Sequence, residues 1–262
     1  MRIAGRDVVE ARRVAGGDVN DAQRVVLDDG TVAFVKTRAG AAPGEYATEA
    51  AALRWLAEPG CVAVPQVLDV ADDFLALEWL EPKGRYDEEE LGRGLAQLHV
   101  AGATAFGEVP LPPLRIGPLV FDDAPSGDWP GFYAERRLLP LAERFASVQR
   151  VCERIHDLAG PHEPPARLHG DLWSGNVLAS GGRPYLVDPA AYGGHREVDL
   201  AMLRLFGSPG PRFLAAYEEV APLAPGHEDR VELYQLFPLL VHATLFGGGY
   251  AQSVERAARR YL

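Results

Sequence analysis

The sequence predicts an α+β fold in two lobes, a small β-rich N-lobe over residues 1–81 and a larger helical C-lobe over residues 82–262. Three observations carry that reading. Before residue 80, short apolar runs are divided by Gly, Asp and Pro turns, and one segment has helical spacing. From about residue 87, apolar residues recur three and four apart. Between these regimes Glu81-Pro82 interrupts both patterns and is the natural hinge.

Residues 22–27 and 31–36 form two strands joined by Asp28-Asp29-Gly30, a strong hairpin signal between apolar runs. Residues 44–57 read as an amphipathic helix with Pro43 before it and Pro59-Gly60 closing it. Residues 67–70 and 74–79 make a second strand pair. Leu91, Leu95 and Leu98 place a helix over 87–101, with His99 as a core histidine. Residues 102–130 are rich in Pro and Gly without periodicity, which predicts a long functional loop. Helices are expected over 130–137 and 140–159, strands and loops over 166–188, and mostly helix over 197–261, broken at Gly247-Gly248-Gly249.

Composition excludes several classes. With 262 residues, 47% hydrophobic and 24% charged, the chain is neither disordered, collagenous nor a disulfide scaffold. A net charge of −11 argues against nucleic-acid binding and against an anionic membrane surface, both of which need a basic face. Two distant cysteines, Cys61 and Cys152, fit a reducing cytoplasm and offer no metal spacing. No signal peptide or membrane span is expected, and a monomer is the expected state. The 26 basic residues include only two lysines, Lys36 and Lys83. Codon bias explains such a ratio, yet a lysine inside an apolar strand asks for a chemical reason.

The segment Leu168-His169-Gly170-Asp171-Leu172-Trp173-Ser174-Gly175-Asn176 holds the chemistry. It contains D-x-x-x-x-N, the spacing of a phosphotransferase catalytic loop, and Asp188 follows at the exit of a short apolar strand. Phosphoryl transfer needs an acceptor-only group beside the incoming hydroxyl, which suits Asp171. It also needs hard oxygen ligands for Mg²⁺, which Asn176 and Asp188 supply. Asp and Asn are ordinary turn residues too, but the strand-borne Asp188 at that distance favours the catalytic reading. Lys36, at the end of the second strand, is the candidate cation for nucleotide phosphates. Glu49 on the following helix is its candidate partner, with Glu45 in competition. Gly16 and Gly17 form a turn that lets backbone amides approach phosphates, although it is not a Walker-type loop.

The run LHGDLWSGN, with VDPAAYGGHREVDLAM after it, resembles the fructosamine-3-kinase (ketosamine-3-kinase) family, a branch of the protein-kinase-like superfamily near the aminoglycoside phosphotransferases. Nearly the whole chain takes part, from AGGDVNDAQRV to the C-terminal ELYQLFPLLVHATLFGGGY. Trp173 and the run Gly194-His195-Arg196-Glu197 narrow the match to this family. The resemblance implies a protein-kinase-like fold and transfer of the γ-phosphoryl group of Mg·ATP to the 3-hydroxyl of a ketosamine. Such an acceptor is a ribulosamine, erythrulosamine or fructosamine on an amine or a protein lysine, and its phosphorylation leads to deglycation. The lean is toward ribulosamines and erythrulosamines.

The resemblance also implies residue roles. Asp171 is the catalytic base, and Asn176 and Asp188 hold Mg²⁺. Lys36, with Glu49, meets the ATP phosphates, and Gly16, Gly17 and Asn20 cover them. Backbone of Glu78 and Leu80 meets adenine. Trp173 lines the ketosamine pocket, and Asp199 braces the catalytic loop. His195 and Arg196 either touch substrate or belong to an ion-pair network. The stretch 108–130 departs from the family pattern in lacking a Gln/Asn pair, and Asp18 stands in the glycine turn with no thiol. Two alternatives stay open: a phosphotransferase for an aminoglycoside or amino alcohol, with Asp122, Asp123 and Asp128 as footing, and a catalytically inactive nucleotide-binding protein.

Overall fold

The computed structural model describes residues 1–14, 21–207 and 209–262. The glycine turn carrying Gly16, Gly17 and Asn20 lies outside the described residues. An antiparallel sheet opens the chain: β1 (Arg2–Ile3), β2 (Arg6–Arg13), β3 (Asp21–Leu27), β4 (Val32–Thr37), β5 (Val67–Val70) and β6 (Phe74–Glu78), in the spatial order β1-β2-β3-β4-β6-β5. Helix α1 (Glu45–Ala57) lies between β4 and β5 in sequence.

Strand alternation sorts the two faces of this sheet. Val25, Leu27, Ala33, Val35 and Ala76 pack with Ile3 on one side. Phe34, Leu75 and Leu77 pack on the other, under Tyr46, Ala50 and Leu53 of α1. Lys36 is two residues from Phe34 and pairs in register with Leu75, so it shares the face that α1 covers. Glu49, one helical turn from Tyr46 and Leu53, therefore comes over the lysine.

Helix α2 (Glu88–Ala101) follows, capped by the Asp87 carboxylate, which accepts from the Glu89 N–H at 2.9 Å. Strands β7 (Leu114–Ile116) and β8 (Leu119–Phe121) come next, then α3 (Trp129–Tyr133), a wide π turn over Ala134–Leu138, α4 (Ala146–Glu153) and α5 (Ile155–Leu158). Two short ribbons present the motif segment: β9 (Ala166–Leu168) pairs with β12 (Tyr192–Gly194), and β10 (Val177–Ser180) with β11 (Arg183–Leu186). Helices α6 (Glu197–Leu205), α7 (Pro211–Val220), α8 (His227–Leu245) and α9 (Tyr250–Arg259) complete the chain. Among the described residues, no helix is long and apolar enough to cross a membrane.

Expectation and structure differ in three places. The supposed loop 102–130 contains the β7–β8 hairpin, turned at Gly117, whose φ is +54°; three-residue strands are too short to show alternation. The helix expected over 140–159 starts only at Ala146, after a 3-10 turn over Leu139–Leu141 that contains Pro140, and is divided at Arg154, where φ is −115°. Strands β1 and β2 add to the sheet ahead of the predicted hairpin. The proposed 81/82 boundary falls in the segment between β6 and α2.

Candidate active site

The site assembles where β4 and α1 meet the two ribbons. Lys36 is 7% exposed, and its Nζ donates to Glu49 Oε1 at 2.8 Å and to Asp188 Oδ1. Burial alone would pull the ammonium pKa down, but the Glu49 and Asp188 carboxylates outweigh it, so the lysine stays charged. Burial likewise raises Glu49, and Lys36 opposes that rise. Glu45, the competing partner, is taken by Arg38.

Asp188 is pinned by its neighbour. The Val187 N–H donates to Asn176 O at 3.0 Å, and the Val187 carbonyl meets His169 Nε2 at 3.0 Å. Asp188 itself adopts φ +55°, a conformation uncommon outside glycine, and nearly half of its side chain is exposed. Asn176 Nδ2 donates to the Asp171 backbone carbonyl at 2.8 Å and to Asp171 Oδ2 at 3.3 Å. The five-residue spacing thus closes a loop in which the amide fixes the carboxylate and leaves its own Oδ1 as an acceptor. Burial, joined by the like charge of Asp188, pushes the Asp171 pKa up to about 6, against the Asn176 hydrogen bond. A carboxylate in that range can receive a proton near neutral pH.

The loop is braced from below. Asp199 accepts from the backbone N–H groups of His169 at 2.7 Å and Gly170 at 2.9 Å. His99 Nε2 lies 3.3 Å from Asp199, and His99 Nδ1 lies 2.7 Å from the Tyr217 hydroxyl, so this core histidine belongs to the same network. Gly170 has φ +81°, and a Cβ there would sit 2.8 Å from the Ala190 carbonyl carbon and 3.3 Å from Tyr192 Cδ1.

Trp173 stands at the open edge of the loop, 38% exposed. Its indole folds back over Gly175, where a Cβ would come within 2.6 Å of Cζ3. The Glu78 N–H donates to Gln66 O at 2.8 Å and is therefore not open to adenine; the Leu80 N–H has no partner among the described residues.

His195 and Arg196 are not brought to this site. Strand β12 runs antiparallel to β9, with Tyr192 opposite Leu168 and Gly194 opposite Ala166, so His195 emerges at the end of the ribbon away from Asp171. Arg196 makes a two-pronged pair with Glu163 (2.7 and 2.8 Å) and also donates to the Ala221 and Pro222 carbonyls. Glu197 is paired with Arg230. His195 is buried between Trp129 and Tyr234, and burial lowers its pKa to about 4. Glu163, His195 and Glu197 lie within metal-ligand distance of one another, but guanidinium groups already satisfy both carboxylates. The ion-pair alternative is the one the geometry favours over substrate contact.

Sequence reasoning passed over His169 and Val187 as the clamp on Asp188. It also passed over a row of rings beside Trp173: Phe206, His242, Phe246 and Tyr250. The four-residue spacing of the last three was the available signal.

A buried strand lysine paired to a helix carboxylate and to a second aspartate, which lies beside a D-x-x-x-x-N loop, places the chain among the protein-kinase-like phosphotransferases. Solved choline kinase and macrolide phosphotransferase structures share the fold alone, with TM-scores of 0.65 and 0.63 at 16% and 18% identity. The fructosamine kinase family matches residues 3–262, and the chain belongs to that family. A probable ketoamine kinase from Thermus thermophilus is 40% identical over 85% of this chain and 85% of its own length. A chloroplastic protein-ribulosamine 3-kinase from Oryza sativa is 34% identical over 89% of this chain and 73% of its own. A solved structure from Thermobifida fusca, provisionally named a fructosamine-3-kinase, is 43% identical with a TM-score of 0.91, covering 99% of this chain and 95% of that one. The protein is a kinase, with ATP as its phosphoryl donor.

Proposed function

We propose that the protein transfers the γ-phosphoryl group of ATP to the 3-hydroxyl of ketosamines, with ribulosamines and erythrulosamines favoured, and so initiates deglycation of amines or protein lysines in the cytoplasm. The observation that carries this reading is Asp171, held by Asn176 beside the Lys36–Asp188 pair with its pKa near 6, in a chain of the fructosamine kinase family. Free thiols at Cys61 and Cys152 fit the cytoplasmic placement. The division at residues 81/82 assigns nucleotide cover to the first part, and the catalytic loop, metal ligands and sugar site to the second.

The donor set fits Mg²⁺. Asn176 Oδ1 and the half-exposed Asp188 carboxylate are hard oxygen ligands, and the Asn176 amide nitrogen is already engaged by Asp171. When bound, the ion offsets charge on the phosphate oxygens. Lys36 meets the phosphates as a fixed cation with Glu49 holding its amine. Asp171 orients the acceptor hydroxyl and receives its proton as oxygen attacks phosphorus. Glu78 and Leu80 backbone groups take the adenine, Trp173 covers the sugar face, and Gly16, Gly17 and Asn20 keep the phosphate-covering role assigned to them.

The aminoglycoside and amino-alcohol alternative loses its footing. Asp122 and Asp123 accept the backbone N–H groups of Ala124 and Leu114, and Asp128 caps α3 through Gly131. Those carboxylates serve turns and a helix end rather than a pocket for polycations. An inactive nucleotide binder is disfavoured by the complete catalytic set. The test is Mg·ATP-dependent phosphorylation of ribulose-lysine, erythrulose-lysine and fructose-lysine, with Asp171→Asn as control. Turnover lost in the control supports the assignment; ATP binding without turnover of any of them overturns it.

A further inference from the structure

We propose that the ring row Phe206, Phe246 and Tyr250, continuous with Trp173, is the subsite for the amine-bearing arm of the acceptor, and that it selects ketosamines whose cationic nitrogen heads a hydrocarbon chain. This rests on the ketosamine reading above.

The row starts two residues from Asp171. The Trp173 and Phe206 centroids are 5.9 Å apart in an edge-on arrangement. From Phe206 the row continues to His242 at 5.1 Å and Tyr250 at 6.5 Å, and Phe246 lies 6.3 Å from Tyr250. The His242 ring is the hub, 5.0 Å from Tyr250 and 5.6 Å from Phe246, and is held by its Nδ1 at 2.7 Å from the Pro238 carbonyl. Single exposed apolar residues are normal on a protein surface, but a contiguous exposed group is not. Here Trp173 and Phe206 are each 38% exposed and Phe246 is 58% exposed.

Three local features hold the rings there. Gly247 and Gly248, at φ +67° and +59°, turn α8 sharply into α9 and set Tyr250 beside His242. A Cβ on Gly207 would lie 4.0 Å from Ser174 Oγ, so the chain at the end of α6 runs close against the catalytic loop. The β7–β8 hairpin tip reaches the same corner, with the Gly117 Cβ position 3.9 Å from Leu245 Cδ1.

The acceptor chemistry matches this surface. A ketosamine nitrogen is a secondary amine, protonated at neutral pH as alkylamines are. It lies a few bonds from the hydroxyl that must face Asp171, so it projects outward from the loop toward Trp173 and the row beyond. Aromatic faces attract such a cation, and a chain of methylenes behind it covers the remaining ring surface. The net charge of −11 favours the same ligand.

The experiment compares kcat/KM for ribulose adducts of methylamine and of the ε-amine of Nα-acetyl-lysine amide, in the wild type and in Phe206→Ala and Tyr250→Ala. Both adducts carry the cation, so only the hydrocarbon arm distinguishes them: about two further buried methylenes correspond to roughly tenfold, and the wild type should prefer the lysine arm by about that factor. The alanine variants remove the apolar surface on which the arm would lie, and their ratio should fall toward one; thermal unfolding checks that they fold. Equal kcat/KM for both adducts in the wild type overturns the inference and leaves the kinase assignment standing. An unchanged ratio in both folded variants also overturns it. No turnover of any ketosamine overturns the functional reading and this inference with it.

Discussion

Replacing Gly170 by alanine should damage activity far more than stability, and the geometry says why. At φ +81° any side chain is strained by about 1–2 kcal/mol. The new Cβ would also sit 2.8 Å from the Ala190 carbonyl carbon, whereas carbon atoms rest at about 3.5–4.0 Å. The loop must therefore retreat by about 1 Å. Ala190 donates its N–H to His169 O at 3.0 Å, and that retreat weakens a bond worth about 1 kcal/mol. The expected loss of stability is about 2–3 kcal/mol. Asp171 is the next residue, and a displacement of about 1 Å at a reacting group can cost about 100-fold in turnover. Gly181→Ala separates strain from collision: its φ is +59°, but nothing lies within 4 Å of its Cβ position. That variant should lose about 1–2 kcal/mol and keep its turnover. Urea unfolding and steady-state kinetics on the preferred ketosamine measure both quantities. Gly170→Ala with turnover within twofold of wild type would refute the coupling of loop position to Asp171.

Other perturbations have equally definite outcomes. Burial and Asp188 raise the Asp171 pKa to about 6, so its ionised form opposes folding above that pH, and the penalty fades as pH falls toward the unfolded value. Asp171→Asn should therefore be more stable than wild type at pH 7.5 by up to about 3 kcal/mol, with little difference at pH 4; lower stability at pH 7.5 contradicts the electrostatic account. Lys36→Met should weaken ATP binding and lower turnover by about 100-fold or more, read by titration with a non-hydrolysable ATP analogue and by kinetics. Adding Glu49→Gln should restore stability, because it removes a buried unpaired carboxylate, without restoring turnover. Asp199→Ala strands the His169 and Gly170 N–H groups and should cost about 2–4 kcal/mol in thermal or urea unfolding, together with a drop in kcat.

What could be read in advance depended on how far apart the cooperating residues are in the chain. The β3–β4 hairpin was legible because Asp28-Asp29-Gly30 encodes its turn locally. Asp171 and Asn176 were legible because their bond closes within five residues. Lys36 and Glu49 could be paired because the strand face and the helix face both follow from simple periods. The Lys36–Asp188 contact spans 152 residues, and sequence reasoning had assigned the two groups to phosphates and metal separately. His195 and Arg196 stood beside a catalytic motif, but their partner Glu163 lies in the stretch His162-Glu163-Pro164-Pro165, where no period marks which way a side chain turns. The ring row was hidden in the same way, since Trp173, Phe206 and Tyr250 belong to different elements.

The surroundings of Lys36 bear on the chemistry of sugar damage itself. A reducing sugar condenses with an amine only through the nitrogen lone pair, and a protonated amine has none to offer. Glu49 and Asp188 keep this ammonium charged, and at 7% exposure it is closed to a bulky aldehyde. The other lysine, Lys83, lies exposed in the segment between β6 and α2, and its backbone N–H bonds to Ala179 O. With arginine at the other 24 basic positions, the chain exposes few of the amines that sugars modify, and the lysine proposed to meet the ATP phosphates is shielded from the lesion whose product a ketosamine kinase acts on.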